Sequence, residues 1–459
     1  MFFSEKLLER VASTPADVLD KTIDISRDIA DVFHTKKHLQ RAREYWHTLG
    51  PGLTTGAADD DPSGIASYSQ TGAQYGFKLL WLAPFTFPLM AIIQEMCARI
   101  GLVTGRGLAA NIRAYYPKRV LYLCTALLFF ANTLNIGADL GAMAKGVQLL
   151  FPKFGFMSLV FGFALFSLAL QIFTTYEKYA KYLKWLALIL LSYIFATLSI
   201  RNLDWSQLFT NSLIPSITFS KEQIFLITAV LGTTISPYLF FWQTSQEVEE
   251  QILGGRTTLK LRQVETTPSE VKNMRLDVWS GMFLSNLVMF FIIAACGATL
   301  FTHGITNITS AADAASALQP FAGNQAYLLF ALGIIGTGLL AVPVLAGSAS
   351  YALSECFGWR FGLYRKLKEA NAFYGVIILS TGIGFAINYL GLDPIKTLIY
   401  SAVLNGLIAP IILILIVKMS SDKKIMGNWV NNKVVASLGW LITTIMIVAG
   451  TATIISLFS

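Results

Sequence analysis

Apolar residues run along this chain in blocks of about 20, the length a helix needs to cross a bilayer. Short polar stretches separate the blocks. Eleven blocks predict eleven membrane-spanning helices, near 49–72, 79–101, 120–144, 155–175, 184–200, 223–246, 277–301, 327–352, 373–390, 397–418 and 435–457. Residues 1–47 are charged and polar and read as an N-terminal segment outside the membrane. Residues 48–459 read as one all-α integral membrane domain. The longest polar stretch between spans, about 250–275, is too short for a second soluble domain.

Composition agrees with this pattern. The chain of 459 residues is 54% hydrophobic and 14% charged, against about 25% charged in soluble domains. That excludes an ordinary soluble enzyme, a disordered chain and a disulfide-rich scaffold. Cys97, Cys124, Cys296 and Cys356 match no zinc spacing and read as small apolar fillers. The net charge of +8 does not point to nucleic acid, because the basic residues sit in short loops between spans. With the N-terminus inside, the inner segments hold 29 of the 35 Lys and Arg residues and the outer segments hold 6. The positive-inside rule then sets a cytoplasmic N-terminus, an outer C-terminus and a multi-pass place in the cell membrane. Lys36, Lys37, Arg41 and Arg43 stand just before span 1. The charged stretch Asp17–His34 leaves two readings open: a helix lying on the membrane or on the protein's inner face, and a loose tail.

Two spans are interrupted. Span 1 places Asp59, Asp60 and Asp61 before Pro62 and Gly64, at mid-membrane. A carboxylate at that depth costs about 2.5 kcal/mol or more, so the three need water, a cation or both. Pro62 removes a backbone donor, so the helix breaks there and frees carbonyl oxygens. Span 6 repeats the pattern with Gly232, Thr233, Thr234, Ser236 and Pro237. Paired broken helices in corresponding halves mark the substrate site of a secondary transporter. Spans 1–5 and 6–10 then form inverted repeats, about 49–200 and 223–418, with 435–457 as an extra helix. Carboxylates, carbonyls and hydroxyls suit hard divalent cations, and no His or Cys stands at either break. Asp61, beside the break, is the leading ligand. Asp59 and Asp60 either join it or line an aqueous vestibule.

At these residues, and at Gly50-Pro51-Gly52, Gly76–Trp81 and Ala98–Gly105, the sequence resembles the NRAMP family of divalent-metal transporters. The resemblance runs from about Gly50 to Pro410. It implies a LeuT-like fold of two inverted five-helix repeats plus one extra helix. It also implies a metal held between the unwound centres of helices 1 and 6, with the carbonyls of Ala58 and Thr233 as ligands. This chain departs from the family's motifs. Asp61-Pro62-Ser63-Gly64 replaces Asp-Pro-Gly-Asn, so Gly64 stands where a side-chain ligand is usual. Ser236-Pro237-Tyr238 replaces Met-Pro-His, so Ser236 takes the methionine position and Tyr238 that of the proton-linked histidine. In span 3, Asn132 and Ala142 stand where acids are usual and Asp139 remains; span 9 shows no paired arginines. Loss of sulfur and of a bulky ligand implies a wider, harder site suited to partly hydrated Mg2+. The pattern resembles the NRAMP-related magnesium transporters and implies weak or absent proton coupling. The alternatives are a proton-coupled Mn2+ or transition-metal importer, and a LeuT-fold carrier of organic solutes.

Asn135, Asp139, Gln243, Asn286, Glu355, Asn388 and Asn405 lie in or beside apolar blocks, where such residues commonly bond between helices. Gln243, with Glu247, Glu249 and Glu250, is also a candidate lining of the inner exit. His34, His47 and His303 receive no site, and Gly333, Gly336, Gly338 and Gly347 read as close-packing positions in span 8. A membrane enzyme would require a nucleophile or metal motif such as HExxH or GxSxG, and neither is present. The expected partners are the divalent ion and the lipid bilayer. No cofactor is expected, and the expected state is a monomer.

Overall fold

The computed structural model describes residues 50–174, 191–200, 203–263, 266–308 and 310–458. The N-terminal segment expected over 1–47, with its basic and histidine residues, lies outside the described residues, as does the first part of the expected span 5, 184–190. Among the described residues the ordered elements are all helical. Span 1 forms α1 (Pro51–Asp59) and α2 (Pro62–Tyr75), followed by α3 (Leu82–Thr104), the short α4 (Leu108–Tyr115), α5 (Lys118–Leu150) and α6 (Phe156–Phe173). The end of span 5 appears as α7 (Ser192–Leu198), and α8 (Trp205–Leu213) follows it. Span 6 forms α9 (Lys221–Thr234) and α10 (Pro237–Leu253). Then come α11 (Pro268–Thr299), α12 (Ala326–Phe357), α13 (Asn371–Ile387), α14 (Pro394–Ser420) and α15 (Lys433–Phe458).

Nine helical segments among the described residues are long and apolar enough to cross a membrane, with α9 and α10 counted as one. Span 1, with halves of 9 and 14 residues, is not among them, because Asp59, Asp60, Asp61 and its many Gly, Ser and Thr residues make it too polar. The expected loop over 250–275 is shorter than its polarity suggests. Thr267 and Glu270 form a capping box with Pro268 at the first helical position, so α11 starts nine residues ahead of its apolar block. Polar turns of a helix that leave the bilayer are invisible to hydropathy.

The two broken spans sit at the centre, surrounded by α5, α11, α12 and α14. The helices α6 and α15 lie outside, with large apolar side chains such as Phe161, Phe166, Val448 and Ile455 facing outward. Glycine lets α1 meet α11 backbone to backbone. A Cβ at Gly56 would lie 2.3 Å from the Gly281 carbonyl, and one at Gly281 2.1 Å from the Gly52 carbonyl. The contact of α9 with α14 is of the same kind, where a Cβ on Gly232 would lie 2.0 Å from the Ala402 carbonyl.

Candidate metal site at the two helix breaks

Both breaks use the same local chemistry. In span 1 the backbone leaves the helix at Asp60 (φ −82°, ψ 50°) and is extended at Asp61 (φ −68°, ψ 171°); Pro62 then opens α2. In span 6 it leaves at Ile235 (φ −113°, ψ 61°) and is extended at Ser236 (φ −84°, ψ 132°), with Pro237 opening α10. Proline suits the first helical position because the missing N–H is one the helix cannot use there.

Asp61 caps α2 and is fully buried. One carboxylate oxygen accepts from Ser63 Oγ at 2.6 Å and from the Gly64 N–H at 2.7 Å, with Thr233 Oγ1 at 3.5 Å. The other accepts from Asn135 Nδ2 at 2.9 Å, and Ser401 donates to Asn135 Oδ1 at 2.6 Å. Asp61 thus joins α2, α5, α9 and, through Asn135, α14. Donors on both oxygens fix the position of this carboxyl group where a cation entering between the breaks would meet it.

The neighbouring carboxylates turn elsewhere. Asp59 accepts from Ser285 Oγ of α11 at 2.5 Å, and the same hydroxyl lies 3.4 Å from Asp60. The other oxygen of Asp59 is buried with no hydrogen-bond partner among the described residues. No three His, Cys, Asp or Glu side chains converge as a metal-binding group among the described residues. A ligand set around Asp61 therefore draws on carbonyls, hydroxyls and amides.

Both candidate carbonyl ligands already hold a hydroxyl. Tyr238 donates to the Ala58 carbonyl at 2.8 Å. Ser236 donates to the carbonyls of Gly232 and Thr233 at 2.6 and 2.7 Å, satisfying the exposed end of α9. Ser236 and Tyr238, at the positions where the resemblance implies a methionine and a histidine, thus hold the freed carbonyls. Gly64 is closely bordered: a Cβ there would lie 3.3 Å from the Asp59 carbonyl, Thr233 Oγ1 and the Tyr68 ring.

Asn132 donates to the Leu345 carbonyl at 2.9 Å and to Ser348 Oγ at 2.6 Å, tying α5 to α12. Asp139 is buried with neither carboxylate oxygen hydrogen-bonded among the described residues. Gln243 accepts from Thr55 Oγ1 at 2.5 Å and donates to Glu247 at 2.9 Å, linking α10 to α1. Glu247 and Glu250 line a cavity of about 390 Å³ with Gly50 and Asp277. Glu249 does not join them; it accepts from Tyr351 and from the Leu363 N–H.

The structure adds residues the sequence reading left without a place at the site. Asn135 read only as an interhelical bonder, although it lies one turn from Asp139 on the same helix. Ser63, Ser285 and Ser401 carried no signal beyond Ser63's place after Pro62. Asp277 gave none either, yet it accepts from the N–H groups of Gly50, Gly52 and Leu53 at 2.7, 2.6 and 3.0 Å. A carboxylate of α11 thereby grips the positive N-terminal end of α1.

Two discontinuous helices crossing at mid-bundle, with a buried carboxylate at one break, define a LeuT-like transporter fold. The chain matches the family described as Natural resistance-associated macrophage protein-like over residues 52–456 and belongs to that family. It is therefore a transporter of divalent metal ions, not an enzyme. Among solved structures it is similar to the Eremococcus coleocola manganese transporter in complex with an aromatic bis-isothiourea substituted compound. That match has a TM-score of 0.70 and 19% identity, covering 87% of this chain and 84% of that one. It is also similar to the inward-facing conformation of Mhp1, with a TM-score of 0.52, 13% identity and coverage of 88% and 90%.

Proposed function

We propose that this protein carries Mg2+, with Mn2+ as a second substrate, by alternating access with weak or no proton coupling. The observation that carries this reading is the donor set at the two breaks. Asp61, Ser63, Thr233, Ser236 and the carbonyls of Ala58 and Thr233 offer only oxygen. Oxygen donors without thioether or imidazole favour hard cations, and Mg2+ keeps several waters that hydroxyls and carbonyls can orient. Asp61 supplies the charge. Ser236 and Gly64 set the hardness and width of the site, and Asp59 and Asp60 place two further carboxyl groups on the side facing α11.

Weak coupling is supported by Tyr238, whose hydroxyl is committed to Ala58, and by Asn132, which cannot carry a proton. The second reading is a proton-coupled Mn2+ importer. It is favoured by the Asp139 carboxylate, which has no hydrogen-bond partner among the described residues, and by the likeness to a protein described as a manganese transporter. The asymmetry of 29 inner to 6 outer basic residues supports a cytoplasmic N-terminus and a place in the cell membrane. Residues 1–47 form the cytoplasmic segment, and 48–459 the transporter domain, with repeats at about 49–200 and 223–418 and the extra helix at 435–457.

Proteoliposomes with a trapped pH dye test both parts at once. Millimolar Mg2+ is expected to compete with Mn2+ uptake, and uptake is expected without metal-dependent acidification. Failure of Mg2+ to compete, or saturable acidification that tracks uptake, would establish the second reading.

A further inference from the structure

The basic loops that set the orientation are not independent of one another. The loops after spans 2, 6 and 8 meet around a cavity of about 560 Å³ lined by Arg106, Arg113, Arg262, Arg360 and Arg365. Pockets for small ligands usually measure about 300–1,000 Å³. The facing carboxylate, Glu355, is already engaged: it accepts from the Ala110 N–H of α4 at 2.9 Å and lies 3.4 Å from Ser245 Oγ of α10. None of the five guanidinium groups forms a salt bridge among the described residues.

Part of this array is held in place. Arg262 donates to the carbonyls of Gly105 at 2.9 Å and Thr257 at 3.0 Å. Arg113 donates to the Glu355 carbonyl at 3.3 Å. Arg365 lies over the Tyr364 ring at 4.9 Å, with Nε donating to its hydroxyl at 3.1 Å. Guanidinium groups match the geometry of phosphate oxygens and remain charged at any physiological pH. Five of them around one cavity, against one carboxylate, call for a ligand with several negative charges.

We propose that this cavity binds a phosphate-bearing anion on the inner face, separate from the metal path. The chemistry is shared by two sources, a soluble polyphosphate and an anionic phospholipid headgroup. Val248 and Ile252 of α10 also line the cavity. The bound anion therefore rests against the inner half of broken span 6.

The test uses the full chain in detergent, delipidated and in EDTA so that divalent ions do not interfere. Inorganic tripolyphosphate is titrated calorimetrically, and retention of phosphatidylglycerol is followed by native mass spectrometry after passage through lipid nanodiscs. The variant is R106Q/R360Q, because those two side chains take no part in the hydrogen bonds that hold Arg113, Arg262 and Arg365. Unchanged melting shows that it folds; R360Q alone serves if the pair does not. Tripolyphosphate binding that weakens at least tenfold in the variant supports the site with a soluble source. Phosphatidylglycerol retention that is lost in the variant, without tripolyphosphate binding, supports it with a lipid source. Absence of both ligands in the wild type, or binding that the variant leaves unchanged, overturns the proposal.

Discussion

Replacing Tyr238 by phenylalanine removes one hydroxyl from the space between the two breaks and nothing else. The ring is fully buried and keeps its packing, while the Ala58 carbonyl loses the donor at 2.8 Å. The hydroxyl takes one of this carbonyl's two acceptor directions and draws on its electron density, so the hydrogen bond competes with an ion that takes the oxygen. A typical intramolecular hydrogen bond contributes a net stabilisation of about 0.5–1.5 kcal/mol. At about 1.4 kcal/mol per tenfold change, Tyr238→Phe is expected to tighten apparent metal affinity by roughly 2- to 12-fold. Calorimetry with Mn2+ and Mg2+ on purified protein measures this, and the half-saturation of Mn2+ uptake gives a second reading. Affinity that weakens in Tyr238→Phe would refute the reasoning and make the hydroxyl itself a donor to the ion or its waters. Unchanged affinity would mean that the Ala58 carbonyl is not a ligand.

Asp61→Asn keeps the size and the helix cap but removes the charge, and is expected to lower uptake at least tenfold with melting unchanged; retained uptake would move the essential charge to Asp59 or Asp60. Asp277→Ala removes the acceptor for three N–H groups at the start of α1. A cysteine replacing the buried Thr54 is then expected to react severalfold faster with thiol reagents, and an unchanged rate would show that the grip does not hold α1. A cysteine replacing Lys366, in the loop after span 8, is expected to be protected from impermeant reagents added to intact cells, whereas ready labelling would invert the proposed orientation.

The breaks were legible because their causes are local. Asp61-Pro62 and Ser236-Pro237 carry the cap, the missing donor and the break within a few residues of each other. The partners of the buried carboxylates were not legible, because they come from distant helices. Asn135 is 74 positions from Asp61, and Ser285 is 226 from Asp59. Nothing in the spacing of an apolar block says which of its polar residues will face another block. Ser236 shows the converse. Its position beside the break marks it as a candidate donor to the ion, and its hydroxyl also finds the carbonyls of its own helix end within reach. The early start of α11 was hidden for a different reason, since its first turns are capped and polar and carry no apolar signal.

The seam between α1 and α11 has a mechanical consequence. Gly52, Gly56 and Gly281 let the two backbones meet directly, while Asp277 pins one end of the contact and Ser285, bonded to Asp59, pins the other. A smooth contact fixed at its two ends moves as one plate. If α1 swings from the bundle, α11 either travels with it as one lever or releases it at those two latches. The effort of opening is then concentrated at the ends instead of being spread along the helix, and the rate of the cycle on this face becomes sensitive to Asp277, a carboxylate far from the ion.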